Sequence, residues 1–190
     1  MTKIYLAGPD VFLPDAAHIG RRKVELCRRH GLTGLYPLDN HIDRAASDVS
    51  LRIFRANQAM MDSADAIVAN LTPFRGPGAD PGTVYELGYM AGRAKPCFGY
   101  TNDASLYADR VAAFIEVRQQ GHDLIDGDGL VVENFDLADN LMMIHALDLC
   151  GGALVTPPTQ PDDVWHDMTS FEACLRLAAE QLQVSLKASS

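Results

Sequence analysis

The run Ala66-Ile67-Val68-Ala69-Asn70-Leu71 decides the fold class, because it shows no polar alternation before Asn70. A strand with one solvated face alternates apolar and polar residues, whereas a strand buried on both faces reads as a continuous apolar run. The run is short, and a loop rich in proline and glycine follows it at residues 72–82. It therefore predicts a central strand of a parallel sheet that is covered on both faces.

Working outward from this run, four similar segments predict the remaining strands, at 3–7, 32–36, 96–100 and 153–156. Segments with apolar residues at helical spacing lie between and after them, at 15–30, 47–63, 83 onward, 105–120, 137–149 and 170–186. Alternating strands and helices predict an α/β fold, a five-stranded parallel sheet with helices on both faces. Residues 121–134 are predicted to form a polar loop, with a hairpin turning at 126–129 as one option.

The composition predicts a single globular domain over residues 1–190 and narrows the range of partners. The net charge is −9, the pI is about 5.0, and no stripe of Lys and Arg occurs. These values argue against a nucleic-acid partner and disfavour strongly anionic substrates.

The four cysteines are scattered, with no Cys-x-x-Cys pair and no His at zinc-ligand spacing, so no metal site is expected. Each cysteine is interpreted as a small buried residue in a reducing compartment. The chain starts directly with a strand pattern and contains no apolar run of membrane-spanning length. A cytoplasmic protein without a membrane partner is expected.

The segment Asp80-Pro-Gly-Thr-Val-Tyr-Glu86 places two carboxylates six residues apart around a turn that opens into a helix. Thr83 has the chemistry of an N-cap residue, which would put Asp80 on the loop and Glu86 in the first helical turn. Ligands of open parallel sheets bind at the carboxyl ends of the strands, where this loop is predicted to lie. The pair therefore suits a carboxylate nucleophile with a carboxylic acid beside it. An alternative remains, because Thr83-x-x-Glu86 is also the pattern of a capping box, in which Glu86 has only a structural role.

Other catalytic motifs are absent from the sequence. No Gly-x-Gly-x-x-Gly follows the first strand, and neither Gly-x-x-x-x-Gly-Lys-Ser/Thr nor Gly-x-Ser-x-Gly occurs. A dinucleotide cofactor, a nucleoside triphosphate and a serine nucleophile are therefore not expected. A carboxylate nucleophile suits a glycosidic carbon, whose transition state resembles an oxocarbenium ion.

Four elements occur in the order expected for one family: Tyr5 on the first strand, Pro37-Leu-Asp-Asn40, Asp80-x-Gly-x-x-x-Glu86-Leu-Gly-Tyr89, and Asn140-Leu-Met142. Together they resemble the nucleoside 2-deoxyribosyltransferases over roughly residues 3–143. The resemblance implies a flavodoxin-like fold, no cofactor, and transfer of 2-deoxyribose between nucleobases through a covalent glycosyl-enzyme. The implied substrates are 2′-deoxyribonucleosides and free nucleobases.

The resemblance also implies roles for individual residues. Glu86 matches the nucleophile, Tyr5 matches the tyrosine that orients this carboxylate, and Asp80 matches the acid that assists departure of the base. Asn140 and Met142 match residues that reach the sugar from a neighbouring subunit, which implies a homodimer or larger homo-oligomer with shared active sites. The apolar residues of the predicted 137–149 helix independently favour an interface there.

Two substrate-binding positions depart from the family pattern. His41 stands where the family often has Gln, and Asn57 stands where it has Asp. Both positions are near the base in the family, so the choice between purines and pyrimidines stays open.

Two other functions remain as alternatives. A sister branch of the same fold hydrolyses deoxynucleoside 5′-monophosphates, but Asp80 would repel a phosphate where that branch tends to have Ser. A binding module that senses nucleosides without turnover is the second alternative, because fold does not fix function.

Overall fold

The computed structural model describes residues 1–39 and 45–188. Five parallel strands form the main sheet, in the order β2-β1-β3-β4-β8. Their bounds are β1 Lys3–Ala7, β2 Thr33–Leu35, β3 Ala66–Asn70, β4 Cys97–Tyr100 and β8 Leu154–Val155. The predicted five-stranded parallel sheet is confirmed, and its order is the flavodoxin-like one, with the direction of winding reversing between β1 and β3.

Helices cover both faces of this sheet, as predicted. Helices α1 and α6 pack with the side chains of Ile4, Leu6 and Phe98 on one face, while α2, α3 and α5 pack with those of Tyr5 and Ile67 on the other. The helix bounds are α1 Ala16–Arg29, α2 Val49–Ser63, α3 Pro81–Gly92, α4 Tyr107–Phe114, α5 Leu141–Leu149 and α6 Thr169–Ala188. Among the described residues, no helix has the length and apolar character needed to cross a membrane.

The segment after α4 differs from the predicted helix over 105–120. The helix ends at Phe114, and Ile115 is extended, with φ −135° and ψ 160°. Residues that follow form a small antiparallel sheet of three strands, β5 Val117–Gln120, β6 Asp123–Asp126 and β7 Val131–Val132. The turn at 126–129 is confirmed between β6 and β7, but the hairpin begins earlier than the sequence suggested. Pairing of β5 with β6 overrides the weak helical pattern, because cross-strand packing decides such ambiguous runs.

The prediction of a helix over 137–149 is also wrong at its start. Asn140 is the N-cap of α5, and its side-chain oxygen accepts a hydrogen bond from the Met142 N–H at 3.0 Å. Asn140 therefore does not interrupt an apolar helix but begins one. Asp139, immediately before it, is buried and lies outside the helix.

A buried ion pair lies at the carboxyl end of β1. The Lys23 ammonium is 2.7 Å from the Asp10 carboxylate, and the side chains are 3% and 2% exposed. Asp10 also accepts hydrogen bonds from Tyr36 at 3.2 Å and from Asn70 at 3.0 Å. Burial by itself would raise the pKa of Asp10, but Lys23 and the hydrogen-bond donors together hold this pKa below its usual value.

This polar cluster leaves no room for a side chain at Gly8. A Cβ there would lie 2.4 Å from the Asp10 carboxylate oxygen and 2.7 Å from Cβ of Asn70. The cluster thereby fixes the path of the turn between β1 and α1, which forms part of the site described next.

Candidate active site

A cavity of about 790 Å³ opens beyond the carboxyl ends of β1, β2 and β3. This is the edge where the sheet order reverses and where ligands of open α/β sheets bind. Its walls come from the turn after β1, the start of α1, the segment after β2, one face of α2 and the start of α3. The lining residues are Gly8, Val11, Phe12, Ala17, Pro37, Leu38, Val49, Ile53, Asn57, Asp80, Gly82, Thr83 and Glu86.

Glu86 is held in this cavity by Tyr5. The Tyr5 hydroxyl donates a hydrogen bond of 2.5 Å to the Glu86 carboxylate. Tyr5 is fully buried on β1 and lies on the face of the sheet that α3 covers, so its side chain reaches across to the helix. Burial raises the pKa of the Tyr5 phenol well above its usual value, and the neighbouring Glu86 carboxylate raises it further. Tyr5 is therefore a hydrogen-bond donor over the physiological pH range.

The Glu86 carboxyl is unusually hard to ionise for a glutamate. Its pKa is raised to about 7: burial is the main cause, the negative charge of Asp80 adds to it, and the hydrogen bond from Tyr5 opposes it. The carboxylate is thus poorly solvated, and the Tyr5 hydroxyl orients it. Such a group is a competent nucleophile once it is ionised.

Asp80, rather than Thr83, is the N-cap of α3, which corrects the sequence-based prediction. The Asp80 Oδ2 atom accepts hydrogen bonds from the Thr83 N–H at 2.9 Å and from the Thr83 hydroxyl at 3.1 Å. The helix begins at Pro81, a residue that favours the first helical position because it lacks an N–H. Glu86 is therefore in the second turn rather than the first.

The same finding removes the capping-box alternative for Glu86. A capping box would need Thr83 as the N-cap and Glu86 bonded back to its N–H. Instead Thr83 lies inside the helix and Glu86 bonds to Tyr5 on another element. In the described part of the chain, Asp80 Oδ1 has no hydrogen-bond partner, so it can receive a group from a ligand in the cavity.

Of the other predicted site residues, some line this cavity and others lie away from it. Asn57 lines the cavity from α2, and its buried side-chain oxygen has no hydrogen-bond partner among the described residues. Asn140 and Met142 lie at the start of α5 and do not line this cavity. Met142 is 71% exposed, and the Asn140 amide donates to the Glu133 carboxylate at 2.7 Å. His41 lies outside the described residues.

Arg110 and Asp139 were missed at the sequence level, although they hold the loop that carries Asp80. The Arg110 guanidinium donates to the Pro77 carbonyl at 2.7 Å and to the Asp139 carboxylate at 3.3 Å. The same carboxylate accepts from the Ala79 N–H at 3.1 Å, one residue before Asp80. No local pattern identifies these residues, because their partners are distant in sequence.

A model of the family described as nucleoside 2-deoxyribosyltransferase matches residues 4–142, which include Tyr5, Asp80 and Glu86. The chain belongs to the nucleoside 2-deoxyribosyltransferase family. Members of this family are enzymes, and the family implies nucleoside and nucleobase substrates.

The chain is also similar to individual proteins and solved structures. The uncharacterized protein C191.05c of Schizosaccharomyces pombe is 32% identical over an alignment of 165 residues, and the match covers 78% of each chain. A structure of a 2-desoxiribosyltransferase from Leishmania mexicana is 30% identical, covers 95% of this chain and 98% of its own, and superimposes with a TM-score of 0.67. A conserved protein from Enterococcus faecalis V583 shares the fold, with 24% identity, coverage of 97% and 99%, and a TM-score of 0.58.

The hydrogen bond from Tyr5 generates a prediction about the titration of Glu86. In the Tyr5→Phe variant, the pKa of Glu86 should rise further above the wild-type value of about 7, because the donor that favours the carboxylate is lost. A rise of about 1–2 pKa units is expected, since a hydrogen bond to a charged group contributes about 1.5–3 kcal/mol. Carbon-detected NMR of the side-chain carboxyls measures this pKa, with Glu86→Gln to assign the signal.

Tyr89→Phe is the matched control, because Tyr89 donates a 2.6 Å hydrogen bond to Asp62 on the surface. This variant should leave the Glu86 titration unchanged. An unchanged pKa of Glu86 in Tyr5→Phe would contradict the role assigned to Tyr5.

Proposed function

We propose that this protein transfers the 2-deoxyribosyl group of a 2′-deoxyribonucleoside to another nucleobase, through a covalent intermediate on Glu86. The observation that carries this proposal is the buried Glu86 carboxylate, held by Tyr5 beside Asp80 in the cavity. Membership of the nucleoside 2-deoxyribosyltransferase family supports it. The reaction needs no cofactor in this scheme, because the carboxylate itself supplies the nucleophile.

In the first half of the reaction, a Glu86 oxygen attacks C1′ of the sugar. The bond between C1′ and the base nitrogen breaks, and its electron pair leaves with the base. In the second half, a nitrogen of the incoming base attacks C1′ while its proton passes to Asp80, and the ester bond to Glu86 breaks to regenerate the carboxylate. Two successive inversions at C1′ retain the configuration of the nucleoside.

Asp80 assists departure of the base. Its Oδ2 atom is engaged in capping α3, while Oδ1 is available to meet a ring nitrogen of the base. A proton or a hydrogen bond delivered there stabilises the electron pair that the leaving base receives. Asn57 lines the same cavity, and its side-chain oxygen, which no other described residue contacts by a hydrogen bond, suits a hydrogen-bond donor of the substrate. His41 is proposed as a second substrate-binding residue, on the family resemblance.

The substrate is proposed to be a neutral nucleoside rather than a nucleotide. Asp80 and Glu86 both line the cavity and would repel a 5′-phosphate. Purine and pyrimidine bases both remain candidates.

The active unit is proposed to be at least a homodimer, in which Asn140 and Met142 complete the site of a neighbouring subunit. In their own subunit they lie apart from the cavity, and Met142 is largely exposed at the start of α5. An exposed apolar residue beside a capping amide suits a contact with a second copy of the chain.

Base exchange tests the proposed activity directly. The protein is incubated with a deoxynucleoside and a different free base, and the new nucleoside is measured by chromatography. Wild type should produce it, whereas Glu86→Ala should lose activity by on the order of 10³-fold or more. Release of 2-deoxyribose without any acceptor base would favour the hydrolase alternative, and binding without turnover would favour the sensor.

Thermal unfolding of the same variant separates loss of chemistry from loss of fold. Because the folded-state pKa of Glu86 is raised to about 7, ionisation of Glu86 lowers stability as the pH rises from its unfolded pKa towards 7. At pH 8 the Glu86→Ala variant should therefore melt at or above the wild-type temperature. A lower melting temperature with full turnover would contradict the nucleophile assignment.

Asp80→Asn separates the capping role of Asp80 from its chemical role. Asn is as good an N-cap as Asp, so α3 and the melting temperature should be preserved. Turnover should fall by about 10²–10⁴-fold, because an amide cannot transfer a proton to the leaving base. Asp80→Ser, which also caps a helix, is the control and should behave like Asn. Wild-type turnover in Asp80→Asn would show that Asp80 only caps the helix.

Mixing of inactive variants tests the shared site. Dissociated and reassembled Glu86→Ala and Asn140→Ala subunits should recover roughly a quarter of the wild-type sites at equal mixing, if the interface is two-fold symmetric. Glu86→Ala mixed with Asp80→Asn is the control, because both residues belong to the same subunit's cavity and no site becomes whole. A fully active monomer, or equal recovery in both mixtures, would contradict sharing.

A further inference from the structure

An aromatic cluster continues from the cavity wall to a segment near the end of the chain. Phe12 lines the cavity, and its ring stacks on that of Phe74 with centroids 5.4 Å apart and planes inclined by 13°. The Trp165 ring packs edge-on against the Phe74 ring, with the two centroids 6.0 Å apart and the ring planes at 89°. Trp165 is the single tryptophan of the chain and lies beyond the residues that the family model matches.

Arg75 completes this cluster. Its guanidinium carbon is 4.6 Å from the ring centroid of Phe74 and 5.5 Å from that of Phe12. Arg75 has a φ of 57°, a left-handed conformation that is uncommon for a residue with a side chain. Backbone strain of this kind persists where surrounding contacts hold it, and it is frequent beside ligand sites.

The segment that presents Trp165 is anchored at two places. We call this segment, residues 160–168, the strap. The buried Asn102 amide, just after β4, donates to the Val164 carbonyl at 2.8 Å and to the Asp167 carbonyl at 2.9 Å. On the other side of Trp165, the His166 ring lies 3.3 Å from the Asp15 carboxylate at the start of α1. Trp165 is therefore held by long-range contacts on both sides and cannot move independently of the fold.

Phe12, in contrast, needs support from its neighbours. Its side chain is 57% exposed, so its own burial does not fix the orientation of its ring. The ring is oriented by Phe74, which is in turn contacted by Trp165 and Arg75. A flat exposed ring of fixed orientation on the wall of a cavity is suited to stacking with a flat heterocycle.

We propose that Trp165 is a positioning residue for the nucleobase: it acts through Phe74 to hold Phe12 as the surface on which the base stacks. This inference rests on the proposed function, since it assumes that a nucleoside occupies the cavity. Glu86 and Asp80 act at the glycosidic bond, and Phe12 contributes an apolar aromatic wall to the same cavity. A residue of the strap thereby takes part in base binding without touching the base.

Steady-state kinetics of base exchange test the positioning role. Trp165→Ala should raise KM for the deoxynucleoside by about 3–10-fold, the size of effect expected when one aromatic pair is lost, with kcat changed by less than about twofold. Trp165→Phe retains an aromatic edge and should restore KM to within about twofold of wild type. Phe114→Ala, which removes an exposed ring from α4 outside the cluster, is the matched control and should change neither parameter.

Fluorescence of Trp165 tests the same contact without turnover. In the Glu86→Ala variant, a deoxynucleoside should change the emission of this single tryptophan, whereas 2-deoxyribose alone should not. The additional change Phe12→Ala should abolish the response. This titration measures base binding even if the wild type proves not to exchange bases, so the two proposals can fail separately.

Two results would overturn the proposal. One is an unchanged KM in a folded Trp165→Ala variant whose melting temperature alone is lower, which would make the residue merely structural. The other is an equal fluorescence response to deoxynucleoside and to 2-deoxyribose, which would place no base against the cluster.

Discussion

The buried ion pair between Asp10 and Lys23 is the constraint on which the rest of this structure depends. Two charges with 2% and 3% exposed side chains are costly to remove from water, and their attraction compensates only when geometry and further hydrogen bonds are favourable. Here Tyr36 and Asn70 supply those hydrogen bonds. The pair therefore ties α1 to the turn after β1 and to the end of β3. Loss of one partner would leave an uncompensated buried charge, a change that typically costs about 3–5 kcal/mol.

The position of the ion pair explains why the cavity forms where it does. The interiors of β1, β3 and β4 are apolar on both faces, and the buried polar side chains of Asp10 and Asn70 lie at the carboxyl ends of these strands. Asp10 and Asn70 occupy that edge on the side of α1, and the cavity opens beside them on the side of α2 and α3. Gly8 lies between this polar cluster and the cavity. Any side chain at this position would collide with the polar cluster.

The Glu86 carboxyl is stabilised less well than the scaffold around it. Glu86 has its pKa raised to about 7 by burial, and one phenolic donor orients it. A carboxylate that is poorly solvated in the folded protein reduces stability while increasing reactivity, the usual trade-off at active sites. The loop before Asp80 is instead firmly held, because Arg110 and Asp139 bond to its backbone at Pro77 and Ala79. Rigid support around a poorly solvated carboxylate suits the nucleophilic role that we propose for Glu86.

The sequence by itself determined the features that depend on local pattern. The continuous apolar run at 66–71 indicated a doubly covered parallel strand, and the spacing of Asp80 and Glu86 placed both carboxylates at the mouth of the sheet. Only the tertiary structure decided what each residue contacts. Asp80 rather than Thr83 caps α3, and Glu86 is bonded to Tyr5, which is 81 residues away in the chain. Trp165 joins the cavity wall through contacts that no local pattern records. Helix and strand formation follow from side-chain periodicity, whereas capping choices, hydrogen-bond partners and ring stacking follow from which segments the folded sheet brings together.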